Sequence, residues 1–189
     1  MSIYVMSDIH GEDELFHAML KQIHFSEKDT LYILGDVIDR GPNGIALLQE
    51  IMKTPNMVML RGNHEEMMLQ CCNKKASALE FLRWNRNGNA ATLSALRRLN
   101  VEEQKSILEY LRSLPNHLRI QVDGIPYYLV HGFPSDNPDE ELWKRPVLNE
   151  TNPIPGTHVI IGHTPVLNLV VPRYDLNRFI QIMDKRNEH

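Results

Sequence analysis

The chain has 189 residues, of which 42% are apolar and 23% are charged, and its formal net charge is −4. This length suits one domain with a sizeable core, so we expect residues 1–189 to form a single domain. The acidic balance argues against a nucleic-acid partner, and no apolar run is long enough to span a membrane. The two cysteines, Cys71 and Cys72, are adjacent, and the N-terminus has no signal-peptide layout. We therefore expect a protein of the reducing cytoplasm.

The first sixty residues alternate between short apolar runs and amphipathic segments. The apolar runs predict buried strands at Ile3 to Ser7, Thr30 to Leu34 and Met57 to Leu60. Helical spacing of apolar residues predicts helices between these strands, at Leu15 to Ile23 and Gly44 to Lys53. The resulting βαβαβ order implies parallel strands with helices packed on a face of the sheet.

The second half begins with helices and returns to strands. Leucines at helical spacing predict successive helices from Glu65 to Leu114. Apolar runs then predict strands at Leu118 to Val122 and Pro126 to Val130, joined by Asp123-Gly124, which is typical of a hairpin turn. A further strand is predicted at His158 to Ile161.

Two later segments complete the pattern. Pro134 to Pro155 is rich in Pro, Asn and Asp, and we interpret it as an active-site loop because polar strand ends lie on both sides of it. Phe179 to Met183 is the last predicted strand, and Asp184-Lys185-Arg186 follows it.

Polar side chains follow five of the predicted strands, at the point where each strand ends. These side chains are Asp8, His10, Asp36, Asn63, His131 and His163. The carboxyl ends of strands are where an α/β sheet gathers its ligand groups, so we expect these side chains to lie together. Their oxygens and nitrogens are sufficient for two metal ions, and they suit Mn²⁺, Fe or Zn²⁺ better than Ca²⁺.

The order along the chain predicts how the ligands divide between the two ions. Asp8 and His10 are two residues apart, so both side chains can point the same way. A carboxylate has two oxygens, which allows Asp36 to bridge the ions. We therefore expect one ion on Asp8, His10 and Asp36, and the other on Asp36, Asn63, His131 and His163.

Three further residues carry candidate chemistry. Arg40 has a guanidinium group suited to a bidentate grip on phosphate, although a surface arginine paired with a carboxylate is the alternative. His64 follows Asn63 directly and cannot easily reach the same ion. It could instead protonate a leaving oxygen, with Asp39 holding its ring, and the alternative is a structural histidine.

These residues stand in motifs that resemble those of the phosphoprotein phosphatases, metal-dependent serine/threonine phosphatases of the metallophosphoesterase superfamily. The resemblance runs from Ile3 to about Val171 and is strongest to the bacterial and bacteriophage-type members, which share a Trp-x-x-x-Gly segment like Trp84 to Gly88. The motifs are Asp8-Ile9-His10-Gly11, Gly35-Asp36-Val37-Ile38-Asp39-Arg40-Gly41, Gly62-Asn63-His64-Glu65, His131-Gly132 and Gly162-His163-Thr164-Pro165.

The resemblance implies the same six metal ligands, with Mn²⁺ as the favoured metal. It also implies that Asp39 and His64 form a proton-donating pair and that Arg40 is a phosphate clamp. A second clamp is implied at Arg145, with Lys144 as the alternative. The implied fold is α/β (α+β): two mixed β-sheets packed as a sandwich, flanked by helices, with the metals at the carboxyl ends of the strands.

The expected function is hydrolysis of phosphoserine and phosphothreonine in proteins or peptides. Two cations about 3.5–4 Å apart would lower the pKa of a bridging water from ~15.7 toward ~7, and the hydroxide would attack phosphorus directly. A dinucleoside tetraphosphate hydrolase on the same scaffold is the nearest alternative. A catalytically weak metal-binding protein is the alternative from another class.

Overall fold

The computed structural model describes residues 1–146 and 151–165. Its first sheet contains three parallel strands in the order β1-β2-β3. Helices α1 and α2 connect these strands. The bounds are β1 Ile3–Met6, α1 Asp13–Gln22, β2 Thr30–Ile33, α2 Gly44–Lys53 and β3 Met57–Met59. The βαβαβ order predicted from the sequence is therefore confirmed in this part of the chain.

Four helices follow the first sheet before the chain returns to strands. They are α3 Asn63–Cys71, α4 Ala78–Arg86, α5 Ala90–Leu96 and α6 Val101–Ser113. Capping boxes begin two of them: Ser77 and Glu80 exchange hydrogen bonds at the start of α4, and Asn100 and Glu103 do so at the start of α6. The predicted helical region between Glu65 and Leu114 thus contains the last part of α3 and all of α4, α5 and α6.

The second sheet has the order β4-β5-β6 and mixes both strand orientations. Strand β4 spans His117–Val122, β5 spans Ile125–Val130 and β6 spans His158–Ile161. β4 and β5 are antiparallel, whereas β5 and β6 are parallel. Asp123 and Gly124 both have positive φ, at 52° and 79°, which is the geometry of the predicted hairpin turn. A short helix α7, Pro138–Glu141, lies in the loop before β6.

The alternation of side chains along the strands of the first sheet builds two cores. One face packs against the helices through residues such as Met6, Leu31 and Met59. The other face carries Val5 and Leu34, which pack with residues of the second sheet. Because successive side chains of a strand point to opposite faces of the sheet, one strand can contribute side chains to both cores.

The core between the sheets makes the fold a sandwich. It joins side chains from β1 and β2 with side chains from β4, β5 and β6. The two sheets with flanking helices agree with the α/β fold predicted from the sequence. Within residues 1–146 and 151–165 the first sheet is wholly parallel and the second is mixed.

Two remaining sequence predictions concern the last strand and membrane-spanning segments. The predicted strand from Phe179 to Met183 lies outside the described residues. Among the helices that the structure describes, none combines the length and the apolar character required to cross a bilayer.

We predict that Leu129→Ala strongly destabilises the sandwich. Leu129 lies in β5, is 0% exposed and packs between the sheets. Removing a buried leucine side chain typically costs about 2–5 kcal/mol. Urea unfolding should show this as a lower midpoint with an unchanged slope. Leu79→Ala is the matched control, because Leu79 is 77% exposed on α4. Equal midpoints in the two variants would contradict the packing.

Candidate functional site

The carboxyl ends of five strands converge on one cluster of polar side chains. Two of these ends are central. Asp36 follows β2, the middle strand of the first sheet, and His131 follows β5, the middle strand of the second. Both side chains are buried, and the His131 Nδ1 lies 2.7 Å from the Leu34 carbonyl oxygen at the end of β2. The site is therefore assembled across the junction of the two sheets.

The Asp36 carboxylate lies at the centre of this cluster, with one oxygen toward each side. Its Oδ2 lies 3.7 Å from His10 Nε2, and its Oδ1 lies 3.4 Å from His131 Nε2. Oδ1 also accepts the backbone N–H of His64 at 3.0 Å. A carboxylate placed in this way can be shared by ligand sets on both sides.

Two groups of side chains in the described residues have ligand atoms within 4.8 Å of one another. They are His10, Asp36 and His64 in one group, and Asp36, His131 and His163 in the other. The second group contains three of the four residues that the sequence predicts for the second ion. The fourth, Asn63, begins α3, and its Oδ1 lies 2.8 Å from His131 Nε2.

The first group differs from the sequence prediction because it contains His64 where Asp8 was expected. Asp8 nevertheless borders the site. Its Oδ2 accepts the backbone N–H of His163 at 2.9 Å, which ties the end of β1 to the end of β6. The structure therefore brings the six predicted ligands to one place and adds the His64 imidazole to them.

The orientation of two imidazoles suits metal binding. His10 Nδ1 lies 3.0 Å from the Ile38 carbonyl oxygen, and His131 Nδ1 lies 2.7 Å from that of Leu34. A carbonyl oxygen can only accept, so in both rings Nδ1 carries a proton and Nε2 faces the cluster. Metal-binding histidines are oriented by such hydrogen bonds. Carboxylate, amide and imidazole donors together fit divalent Mn, Fe or Zn.

The charges of the cluster are strongly coupled. Burial raises the pKa of Asp36, but the positive charges of His131 and His64 outweigh it and hold that pKa well below its ordinary value. Burial lowers the pKa of His131, but the Asp36 carboxylate more than compensates and raises it to about 9. A cation bound between these groups would displace the His131 proton, since metal and proton compete for the same nitrogen.

His64 has a different environment from the other histidines. Its Nδ1 donates to Asp39 Oδ2 at 2.7 Å, and both side chains are buried. Burial lowers the pKa of His64, but Asp36 and the hydrogen bond to Asp39 raise it above the ordinary value. Its Nε2 lies 3.4 Å from Arg40 Nη2. Asp39 thus holds the ring with Nε2 between the Arg40 guanidinium and the Asp36 carboxylate.

The predicted cationic clamps lie at the exposed side of the cluster. Arg40 is exposed, and its Nη2 reaches the His64 ring. Arg145 is also exposed. Burial lowers the pKa of His163 to about 4, and the charges of His131 and Arg145 contribute in the same direction. Lys144, the alternative to Arg145, places its Nζ over the Phe133 ring, 5.0 Å from the ring centre.

The backbone of the site is unusually strained. Non-glycine residues rarely adopt positive φ, and clusters of such residues are typical of functional sites. Six of the ten predicted site residues do so: Asp8 at 56°, His10 at 48°, Asp36 at 55°, Asp39 at 69°, Arg40 at 63° and His163 at 57°. These turns let the side chains aim back toward the cluster.

Glu65 is a site residue to which the sequence analysis gave no role of its own. Its carboxylate is 0% exposed and accepts the backbone N–H groups of Asp36 at 2.8 Å, Val37 at 2.9 Å, Ile38 at 3.3 Å and Gly62 at 3.0 Å. It therefore binds the turn after β2 to the start of α3. Burial, followed by the charge of Asp36, raises the pKa of Glu65 to about 7, while the backbone donors oppose this.

A sequence signal for Glu65 does exist. Glu65 lies three residues before the buried Met68, on the face of α3 that points into the protein. A charged residue on an apolar helical face needs partners. Thr92, which donates to Asp39 across 53 positions, has no such signal. Trp84 stands out in the sequence through the Trp84 to Gly88 segment, but nothing there indicates its bond to Asp39, 45 positions away.

The sequence matches the family described as Calcineurin-like phosphoesterase over residues 1–181. Curated relatives have two kinds of name. Serine/threonine-protein phosphatase 2 of Escherichia coli K12 is 32% identical over 74% of this chain and 60% of the relative. The symmetrical bis(5'-nucleosyl)-tetraphosphatase of Acidovorax ebreus is 32% identical over 69% of this chain and 43% of the relative. This chain therefore spans about half the length of these relatives.

This chain also aligns over a larger share of another curated relative, and its fold is similar to that of solved structures. Serine/threonine-protein phosphatase 1 of Salmonella typhimurium is 27% identical over 87% of this chain and 79% of the relative. A metallophosphoesterase from Sphaerobacter thermophilus superposes with a TM-score of 0.51 at 24% identity, covering 77% of this chain and 50% of that one. The structural similarity supports the fold alone.

We predict that Glu65→Gln weakens both the fold and metal binding. The amide has only one acceptor oxygen, and its NH₂ group would face backbone donors. Leaving buried groups unsatisfied costs roughly 1–3 kcal/mol. Because Glu65 orients the turn of Asp36, we expect Mn²⁺ affinity to fall about 10–100-fold, as for other residues that support metal ligands. Urea unfolding and calorimetric Mn²⁺ titration measure the two effects.

Glu66→Gln is the matched control for this prediction. Glu66 is the next residue of α3, and its side chain is 21% exposed and pairs with Arg61 at 3.2 Å. A surface pair contributes about 0–1 kcal/mol, so we expect a small stability change and unaltered Mn²⁺ affinity. Wild-type Mn²⁺ affinity in Glu65→Gln would contradict the proposed support.

Proposed function

The chain belongs to the calcineurin-like phosphoesterase family, and we propose that, within these phosphoesterase hydrolases, it removes phosphate from serine and threonine side chains of proteins or peptides. The observation that carries the phosphoesterase part of this proposal is the position of Asp36 between two groups of ligand atoms. Such a shared carboxylate is what a site for two divalent cations needs. When bound, the cations would supply Lewis acidity and a water of lowered pKa.

Different residues around the cluster would bind the cations and the phosphate group. Asp36, with the flanking histidines and Asn63, would hold the cations. Arg40 lies beside His64 at the exposed side, where its guanidinium can grip two phosphoryl oxygens. Arg145, which is exposed, would bind the same group as a second clamp. Together they would orient the phosphate for displacement in line.

His64 would act as the general acid. Its Nδ1 donates to Asp39, so the proton it can give is on Nε2, which lies 3.8 Å from Asp36 Oδ2. Donation of this proton to the leaving oxygen produces an alcohol from the serine or threonine side chain. The Asp39 carboxylate holds the ring in position and stabilises its protonated form.

The type of substrate is supported by the extent of the alignments. The match to serine/threonine-protein phosphatase 1 of Salmonella typhimurium covers 79% of that relative, whereas the match to the tetraphosphatase of Acidovorax ebreus covers 43%. A dinucleoside tetraphosphate remains the second candidate, because that relative is 32% identical to this chain. We also propose Mn²⁺ as the metal and the reducing cytosol as the location, which suits the free thiols Cys71 and Cys72.

We predict Mn²⁺-dependent release of phosphate from a phosphoserine peptide, at a higher kcat/KM than cleavage of diadenosine tetraphosphate. Excess chelator should abolish both activities and lower the melting temperature, since cations that bind only the folded state stabilise it. A malachite-green assay and chromatography of the nucleotide products measure the two reactions. A preference for the dinucleotide would favour the second candidate, and no turnover with either substrate would indicate a binding protein.

We predict that His64→Asn damages slow leaving groups far more than fast ones. A general acid contributes about 10²–10⁴-fold where the departing alkoxide needs a proton. The phosphoserine peptide should lose activity on that scale, whereas p-nitrophenyl phosphate should lose little because p-nitrophenolate is stable without a proton. The measurement is kcat for both substrates, with metal content determined alongside. Equal losses with metal retained would remove His64 from the acid role, and loss of metal would make it a ligand.

A further inference from the structure

We propose that Trp84 and Thr92 are positioning residues that hold the Asp39 carboxylate and thereby aim His64 at the leaving oxygen. This inference rests on the proposed function, in which His64 is the general acid. Trp84 lies in α4 and Thr92 in α5, outside the strand ends that supply the candidate ligands. Both side chains are buried.

The Asp39 carboxylate accepts three side-chain hydrogen bonds in a site where it is 0% exposed. Its Oδ2 accepts both His64 Nδ1 and Trp84 Nε1, each at 2.7 Å. Its Oδ1 accepts the Thr92 hydroxyl at 2.6 Å. Each carboxylate oxygen is therefore held by an anchor, and rotation of the carboxylate would break at least one of these bonds.

The Thr92 hydroxyl is itself oriented. Its Oγ1 accepts the backbone N–H of Asp39 at 3.0 Å, so its own proton is left for Asp39 Oδ1. Asp39 has φ +69°, a conformation that non-glycine residues seldom adopt without external support. Thr92 thus fixes both the backbone and the side chain of Asp39.

The same helices also hold the neighbouring residue. The backbone N–H of Arg40 donates to the Gly88 carbonyl oxygen at 2.9 Å, in the turn between α4 and α5. The unit formed by α4, α5 and their connecting turn therefore makes hydrogen bonds with two successive residues, Asp39 and Arg40. Through them it places the proton donor and the phosphate clamp on the same side of the cluster.

A purely structural role for these hydrogen bonds predicts a different result from a positioning role. A buried indole N–H usually finds a partner, and its loss would then lower only the stability of the protein. A positioning role predicts that the loss falls on reactions that need proton donation. Comparison of substrates that differ only in their leaving group separates the two roles.

The experiment uses Trp84→Phe and Thr92→Val, which remove each donor while keeping most of the volume. Thr92→Ser retains the hydroxyl and tests rescue. Ile107→Val is the control, because Ile107 belongs to the same buried cluster as Trp84. The substrates are phenyl phosphate, whose leaving group needs a proton, and p-nitrophenyl phosphate, whose leaving group does not, both with Mn²⁺. Their use makes the result independent of peptide recognition.

We expect kcat on phenyl phosphate to fall about 10–100-fold in Trp84→Phe and Thr92→Val, part of the ~10²–10⁴-fold that a general acid provides. On p-nitrophenyl phosphate the fall should be less than about 3-fold, because little proton donation is needed. KM and metal content should stay unchanged. Thr92→Ser and Ile107→Val should retain the wild-type ratio of the two rates. Equal losses on both substrates would overturn the proposal.

A second readout does not require turnover. With Zn²⁺ in place of Mn²⁺, the His64 Nδ1–H held by Asp39 should give a low-field proton resonance that is absent from His64→Asn. It should move upfield or broaden in Trp84→Phe and Thr92→Val, and an unchanged resonance in both would overturn the positioning role. If the wild-type protein cleaves neither phosphate ester, the proposed function and the acid role of His64 fail together. The resonance then shows only whether Trp84 and Thr92 hold Asp39 against His64.

Discussion

The Glu65 carboxylate is the contact on which the geometry of the site depends. It accepts backbone N–H groups from the turn after β2 and from the residue before α3, so it fixes Asp36 relative to Asn63. Gly62 allows the close approach, because a Cβ there would overlap the Asp36 carboxylate. Burial of this second carboxylate beside Asp36 raises its pKa to about 7. The contact between the turns of Asp36 and Asn63 is therefore made at the cost of repulsion between two buried carboxylates.

A bound cation would relieve the repulsion between these buried charges. Asp36 and Glu65 repel one another, and His131 retains a proton partly because Asp36 lies beside it. A divalent cation between Asp36 and the imidazoles would take the place of that proton and reduce the repulsion. Charged groups at such density are costly in a protein interior unless they are paired. The polar cluster is thus better suited to binding cations than to stabilising the fold by itself.

The sequence predicts most of the fold and most of the site because both depend on local patterns. Apolar runs and a hairpin dipeptide mark the strands, and the residues after each strand are polar. Parallel pairing of β1, β2 and β3 brings the residues after these strands together, which places Asp36 beside Asp8 and His10 without any knowledge of contacts. The position of His131 depends on how the second sheet packs on the first. The roles of Glu65, Trp84 and Thr92 are not local in this sense. Glu65 reaches Asp36, Val37 and Ile38, which lie 27 to 29 residues away, and Trp84 and Thr92 reach Asp39, which lies 45 and 53 residues away. Only the packed structure shows these contacts.

The elements that carry the candidate metal ligands differ from the elements that hold Asp39 and Arg40. The candidate metal ligands come from strand ends and the first residues of α3, whereas the contacts that hold Asp39 and Arg40 come from α4, α5 and the turn between them. Changes in those helices would act on Asp39 and Arg40, and through Asp39 on His64, while leaving the candidate metal ligands in place. Relatives of this chain are named serine/threonine-protein phosphatase and symmetrical bis(5'-nucleosyl)-tetraphosphatase. Asp39 and Arg40, rather than the candidate ligands, are therefore the residues of this site whose positions depend on α4 and α5.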